Sequence, residues 1–326
     1  MPYQHPYGKS RFYINILEWL DFSGHTLSYF NNTYRTLPVG NFNTALLYSN
    51  VKREVPKYMF NDKSFVAILN MASSKKFELL KNDFSVTFSN IVNISQYDGS
   101  WNYPVLDVSG WGIASFDGSD TNAIQFGVQN ATTIGSAVIG TYMDMPSPSQ
   151  ITISRQLDGI KRTRTKGGTD LIHTQHNSQP PQWGSRPAWD LGSFSYANAY
   201  EGHTNNYLKV GRRVFDLTYD SLRGSQLFPK YNAIKAYDTE DDVGDLGDFT
   251  EYAAQQTLIG SKDFTTQVLN RVGNNLPFIF NLEGGGDSPN NNHDLFAIVV
   301  LDQKSINIKS VANGIYSLKI RLKEVW

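Results

Sequence analysis

The last stretch of the chain constrains the fold most. Tyr316, Leu318, Ile320 and Leu322 alternate with Ser317, Lys319, Arg321 and Lys323. A period of two puts these sets on opposite faces of an extended chain; a helix would scatter both around its circumference. The segment therefore predicts a half-buried antiparallel strand running almost to Trp326. Ala312-Asn313-Gly314 just before it is a turn signal. Residues 305–311 also alternate, with Ile306 and Ile308 on one face, so 305–325 reads as a β-hairpin. Residues 295–301 are continuously apolar and predict a central strand.

The same logic predicts strands over 85–88, 105–109, 113–116, 124–128, 137–142, 151–155, 160–165 and 213–219. Leu157-Asp158-Gly159-Ile160 predicts a tight hairpin turn between two of them. One helix is predicted over 262–272: Ser261 caps it, Asp263 lies in its first turn, Phe264, Val268 and Leu269 form its stripe, and Gly273 follows it. A second, shorter helix is expected over 251–258. Polar loops are expected at 198–206, at the acidic stretch 238–248 and at 284–292.

A mainly β fold follows, with turn spacing that suits a sandwich or barrel. The boundary is placed at 135/136. Residues 1–135 read as a jelly-roll-like β-sandwich and 136–326 as a barrel with one or two short helices. The N-terminal strand, 11–20, is free to join the barrel, and a sandwich inserted within the barrel is the alternative.

Composition narrows the function. The net charge is −1, so no global basic field is available to hold nucleic acid. The chain has no cysteine, which removes disulfides and thiolate metal sites. No run approaches 18 apolar residues, so no transmembrane helix or membrane insertion is expected. The N-terminus lacks the order of a signal peptide, so a soluble chain not exported by that route is expected. Tyr and Phe together outnumber Lys and Arg, which suits half-buried sheets and adhesive surfaces.

Few motifs in the chain carry chemistry. His173 and His176 are three apart, but Asn177, Ser178, Pro180 and Pro181 follow, so they read as loop and not as a metal-binding helix face. The stretch 238–248 carries six acidic groups in an irregular spacing that suits a solvated loop better than a calcium loop. Gly284–Gly286 lack the Lys-Ser/Thr of a phosphate loop. Lys161, Arg162, Arg164 and Lys166 form a basic strand, read as a solvated or subunit-contact face in preference to a nucleic-acid site. There is no Gly-x-Ser-x-Gly elbow. No catalytic residue, cofactor site or metal site is predicted, and the chain is expected not to be an enzyme. Trp101, Trp111, Trp183 and Trp189, near Gly, Pro or Ser, are candidate exposed aromatics; they suit core packing, a protein interface or stacking on a glycan.

The second half carries a resemblance. The series Ile134-Gly135-Ser136-Ala137-Val138-Ile139-Gly140-Thr141-Tyr142-Met143-Asp144-Met145-Pro146 leads to Asp158-Gly159-Ile160-Lys161 and Thr165-Lys166-Gly167-Gly168. Pro180-Pro181-Gln182-Trp183-Gly184, Gly211-Arg212-Arg213-Val214-Phe215-Asp216-Leu217-Thr218-Tyr219, Leu276-Pro277-Phe278-Ile279-Phe280 and the final strand follow in order. Over residues 130–326 the chain resembles uncharacterised virion structural proteins of tailed bacteriophages, especially marine myophage-like ones. Its domain plan is similar to that of distal-tail and baseplate-hub proteins, which join a split β-barrel to a sandwich of galactose-binding type. The resemblance implies a ring-forming tail or baseplate subunit of a virion, assembled in the host cytoplasm. Its partners would be other copies of itself and neighbouring virion proteins. Arg212 and Arg213 would hold carboxylates or carbonyls at a ring interface. Lys319, Arg321, Lys323 and Trp326 are the further interface candidates. A glycan-binding adsorption module and a capsid or decoration protein are the alternative functions.

Overall fold

The computed structural model describes residues 8–16, 18–19, 51–54, 59–69, 77–82, 89–94, 111–119, 121, 123–128, 136–156, 160–174, 212–229, 262–273, 276–286 and 295–325. The protein is mainly β, and its strand pairings are antiparallel. A ten-stranded sheet runs in the spatial order β6 (Trp111–Phe116), β3 (Ser64–Leu69), β8 (Ser136–Asp144), β1 (Lys9–Asn15), β13 (Phe278–Gly285), β14 (Phe296–Leu301), β16 (Ile315–Glu324), β12 (Arg212–Arg223) and β9 (Gln150–Gln156). The tenth strand, β15 (Ile308–Ala312), pairs with β16. A four-stranded sheet orders β2 (Val51–Glu54), β7 (Ala123–Val128), β4 (Phe77–Asn82) and β5 (Ser89–Ile94); β10 (Ile160–Arg164) and β11 (Asp170–Thr174) form a hairpin of their own.

The large sheet is buried on both faces at its centre, and the pleat sorts the side chains. On β1, Phe12 and Ile14 join one core cluster while Tyr13 joins the other. On β13, Phe278, Phe280 and Leu282 go with Phe12, and Ile279 goes with Tyr13. On β14, Ala297, Val299 and Leu301 oppose Phe296 and Ile298 in the same way. Double burial explains why β14 reads as a continuous apolar run and not as an alternation. Phe12 packs against Phe280, Phe264 and Phe278 at centroid distances of 5.2, 5.6 and 5.8 Å. Each such side chain contributes roughly 1.5–3 kcal/mol by leaving water.

A short helical segment covers the first of these faces. It starts at Phe264, is wound as a π-helix over Thr265–Leu269 and ends as an α-helical turn, Asn270–Val272. Phe264, Val268 and Val272, spaced four apart, enter the core cluster of Phe12. The predicted cap, Ser261, lies outside the described residues; at the start of the segment Asp263 Oδ1 accepts from the Thr266 N–H at 2.8 Å. Gly273 ends the segment with φ +50°, as its position predicts. A second helical turn, α1 (Gly224–Leu227), was not foreseen.

The predicted hairpin of 305–325 is β15–β16, turning at Asn313-Gly314 with Gly314 at φ +66°. The predictions at 113–116, 124–128, 137–142, 151–155, 160–165, 213–219 and 295–301 correspond to β6, β7, β8, β9, β10, β12 and β14. Those at 85–88, 105–109 and 251–258 lie outside the described residues. Two local readings are corrected. Residues 157–160 do not join a paired hairpin, because β9 pairs with β12 and β10 with β11. Gly284 and Gly285 finish β13 instead of opening a loop, and Gly285 sits directly opposite Lys9 on β1. β2, β3, β4, β5, β11 and β13 were missed as strands; in β3 and β13, short apolar runs without alternation do not separate strand from buried helix.

The large sheet is open, since β6 and β9 end it and do not pair with each other. It draws strands from both sides of the 135/136 boundary. β1, at the N-terminus, pairs with β8 and β13.

Candidate functional site

Residue 324 breaks the pattern of β16. Its phase is that of Leu318, Ile320 and Leu322, yet it is Glu, and it is 1 % exposed. A carboxylate there needs a partner. Arg213, at the start of β12, supplies it: the Glu324 carboxylate accepts from Arg213 Nε at 2.8 Å and from the Arg213 backbone N–H at 2.6 Å. Arg213 Nη2 also donates to the Phe296 carbonyl at 2.6 Å. The arginine predicted for a ring interface thus joins β12, β14 and β16 of its own chain.

A second pair lies across β1 and β8. Arg11 and Asp144 are register partners. The carboxylate accepts two bonds from the guanidinium, at 2.5 and 3.0 Å. Arg11 lies 4.1 Å from the centre of the Tyr142 ring, and Lys63 Nζ is 3.8 Å from Asp144. Burial works to lower the Arg11 pKa, but the hydrogen bond to Asp144, the neighbouring Tyr13 and the Asp144 charge outweigh it, so the guanidinium stays charged. Burial pushes the Tyr13 hydroxyl up to about 12.

A third group sits under the helix. Thr141 on β8 donates to Gln267 Oε1 at 2.9 Å and accepts from Arg271 Nη1 at 2.9 Å. The four-residue spacing of Gln267 and Arg271 aims both at one hydroxyl. Arg271 is fully buried, which lowers its pKa to about 10, with Asp263 opposing the fall.

These groups bind strands together; none is arranged as a nucleophile beside a base. Among the described residues, no group of three or more His, Cys, Asp or Glu is placed to hold a metal ion. His173, read as loop, lies on β11 opposite Lys161, and His176 is outside the described residues.

Of the other candidates, two are exposed among the described residues. Lys319 and Arg321 are exposed on the polar face of β16, and Lys323 is half-buried. Arg321 is already near acidic neighbours, with Asp302 at 3.4 Å and Asp216 at 3.9 Å. Arg212 opens β12 and is half-buried. Trp111 opens β6; Trp101, Trp183, Trp189, Trp326 and the acidic stretch 238–248 lie outside the described residues.

Sequence reasoning missed three exposed aliphatic side chains. The β10–β11 hairpin exposes Leu171 (57 %) beside Arg164 and Lys166, and the β15–β16 hairpin exposes Val311 (63 %). Strand β9, at the end of the sheet, is exposed along most of its length, with Ile153 at 47 %. Alternation in 151–155 gave the signal that a strand exists, but nothing local marks it as an edge. No family model, curated protein or solved structure matches the chain.

Proposed function

We propose that this chain is a structural subunit of a tailed-bacteriophage virion, acting without catalysis as a ring-forming component of the tail or baseplate. The resemblance of residues 130–326 to virion structural proteins suggests it. The observation that carries it is the exposure of aliphatic side chains on two β-hairpins and a sheet edge. A chain that works alone usually protects such features, because unpaired strands recruit other strands. In an assembly the same features are covered by neighbouring copies. The stripe of Lys319 and Arg321 adds charge for orientation, while apolar contact supplies most of the affinity, since exposed ion pairs contribute only about 0–1 kcal/mol each. The finer architecture, a galactose-binding-like sandwich beside a split barrel, belongs to this proposal.

The test is to locate the chain. Purified particles imaged by electron cryomicroscopy are expected to show it as a ring at the tail or baseplate. Its absence from particles would overturn the reading. So would hydrolysis of host polysaccharide by the isolated chain, if changing one carboxylate abolished it.

A further inference from the structure

The core of the large sheet runs out to an unfinished edge. Register places Leu301, Leu322, Phe215 and Ile153 in one row across β14, β16, β12 and β9. The first three are 3 %, 0 % and 2 % exposed, and the fourth is 47 % exposed. A second row, Ile320, Leu217 and Ile151, ends on the same strand. Among the described residues β9 pairs only with β12. Its sequence, Gln-Ile-Thr-Ile-Ser-Arg-Gln, has no Pro and no Lys, and its pairing has no bulge. These are the devices that normally close an edge to further pairing.

We propose that β9 is the seat of a symmetric dimer contact in which it pairs, antiparallel, with β9 of a second copy. One register satisfies both faces. Ile151 faces the partner's Ile153, and by symmetry Ile153 faces the partner's Ile151, so both apolar rows continue into the other subunit. On the opposite face Thr152 meets the partner's Thr152 at the two-fold axis, a favourable cross-strand pair. The charges agree as well. Arg155 falls opposite the partner's Ser149, and within each chain the Ser149 hydroxyl is 2.6 Å from the Asp220 carboxylate. Each end of the contact thus sets a cation against an anion. A slip of one residue would turn the isoleucines to the wrong face. This contact does not depend on the virion reading. One strand pair is small beside the roughly 1,200–2,000 Å² of stable interfaces, so the expected dimer dissociates in the micromolar range.

The absence of native cysteine allows a direct test on the full chain. Cα atoms paired across antiparallel strands lie about 4.5–5.5 Å apart, inside the range a disulfide spans. Thr152→Cys is expected to form a covalent dimer under mild oxidation at least tenfold faster than Ser154→Cys, whose counterpart in this register is the partner's Gln150. In sedimentation of the cysteine-free chain, Ile153→Lys is expected to weaken the dimer at least tenfold. The 47 % exposure of Ile153 leaves the fold intact, to be verified by circular dichroism. Equal cross-linking at 152 and 154 would overturn the proposal. So would a chain that stays monomeric at hundreds of micromolar, or an Ile153→Lys dimer of unchanged affinity. Capture of a free acidic peptide by β9 in place of a second copy would also overturn it.

Discussion

At the scale of single residues, two backbone positions are set by the strands around them. Gly140 lies where β8 passes β1, and a Cβ there would run into the carbonyl oxygen of Ile14. Backbone cannot retreat as a side chain can, so Gly140→Ala is expected to cost about 3 kcal/mol or more, read as a lower urea midpoint. Ser221 sits at φ +64° in the bulge where β12 gains a residue on β16 between Tyr219 and Leu222. Ser221→Gly removes a left-handed penalty of roughly 1–2 kcal/mol and adds unfolded-state entropy worth roughly 0.5–1 kcal/mol. A net gain of about 0.5 kcal/mol is expected in the same titration. Tyr13 gives a pH dependence. Its folded pKa is raised to about 12 by burial, against 10.0 for the ordinary side chain. The folded chain therefore keeps a proton that the unfolded chain releases. The associated stability is complete below pH 10 and is lost as pH rises towards 12. Thermal melts from pH 9 to 11.5 are expected to show a smaller decline for Tyr13→Phe than for the native chain.

At the scale of elements, the helical segment is held by polar contacts as well as by its apolar stripe. Thr141 is the hub, bonded to both Gln267 and Arg271. Thr141→Val keeps the volume and deletes the hydroxyl, leaving buried groups short of a partner. A loss of about 1–3 kcal/mol is expected, with hydrogen exchange rising over 264–272 before the rest of the sheet opens. The stripe of this helix was legible from Phe264 and Val268. Its π winding and the bond from Thr266 to Asp263 were not, because both depend on what lies beneath it. The turn and second strand of the β15–β16 hairpin were legible, since alternation and an Asn-Gly turn agree locally; its first strand begins at Ile308, three residues later than predicted. Strand β13 was hidden by double burial, which erases alternation.

At the scale of the molecule, the C-terminus is a structural tie. Removing residues 323–326 takes away Glu324 and leaves Arg213 without its buried carboxylate. Breaking such a pair typically costs about 3–5 kcal/mol. The truncated chain is therefore expected to melt well below the native one. Glu324→Gln, with the chain end intact, is expected to reproduce most of that loss. Loss of particle incorporation without loss of stability would instead point to Trp326 as a contact. The pairs Arg11–Asp144 and Arg213–Glu324 span 133 and 111 positions, so no spacing rule could have found them.

The sequence by itself determined that the chain is mainly β, where most of its C-terminal strands lie, and which faces of them are apolar. Those properties are local: each follows from the period of side chains along a few residues and from turn chemistry. The tertiary structure alone decided the order of strands in the sheet, with β1 between β8 and β13 and β9 at the edge. It also decided which charged side chains are buried in pairs. Those outcomes depend on pairings between segments far apart in the chain, where one apolar face fits several neighbours and only the packed whole selects among them. The edge position of β9 belongs to this second kind, and with it the exposure of Ile153.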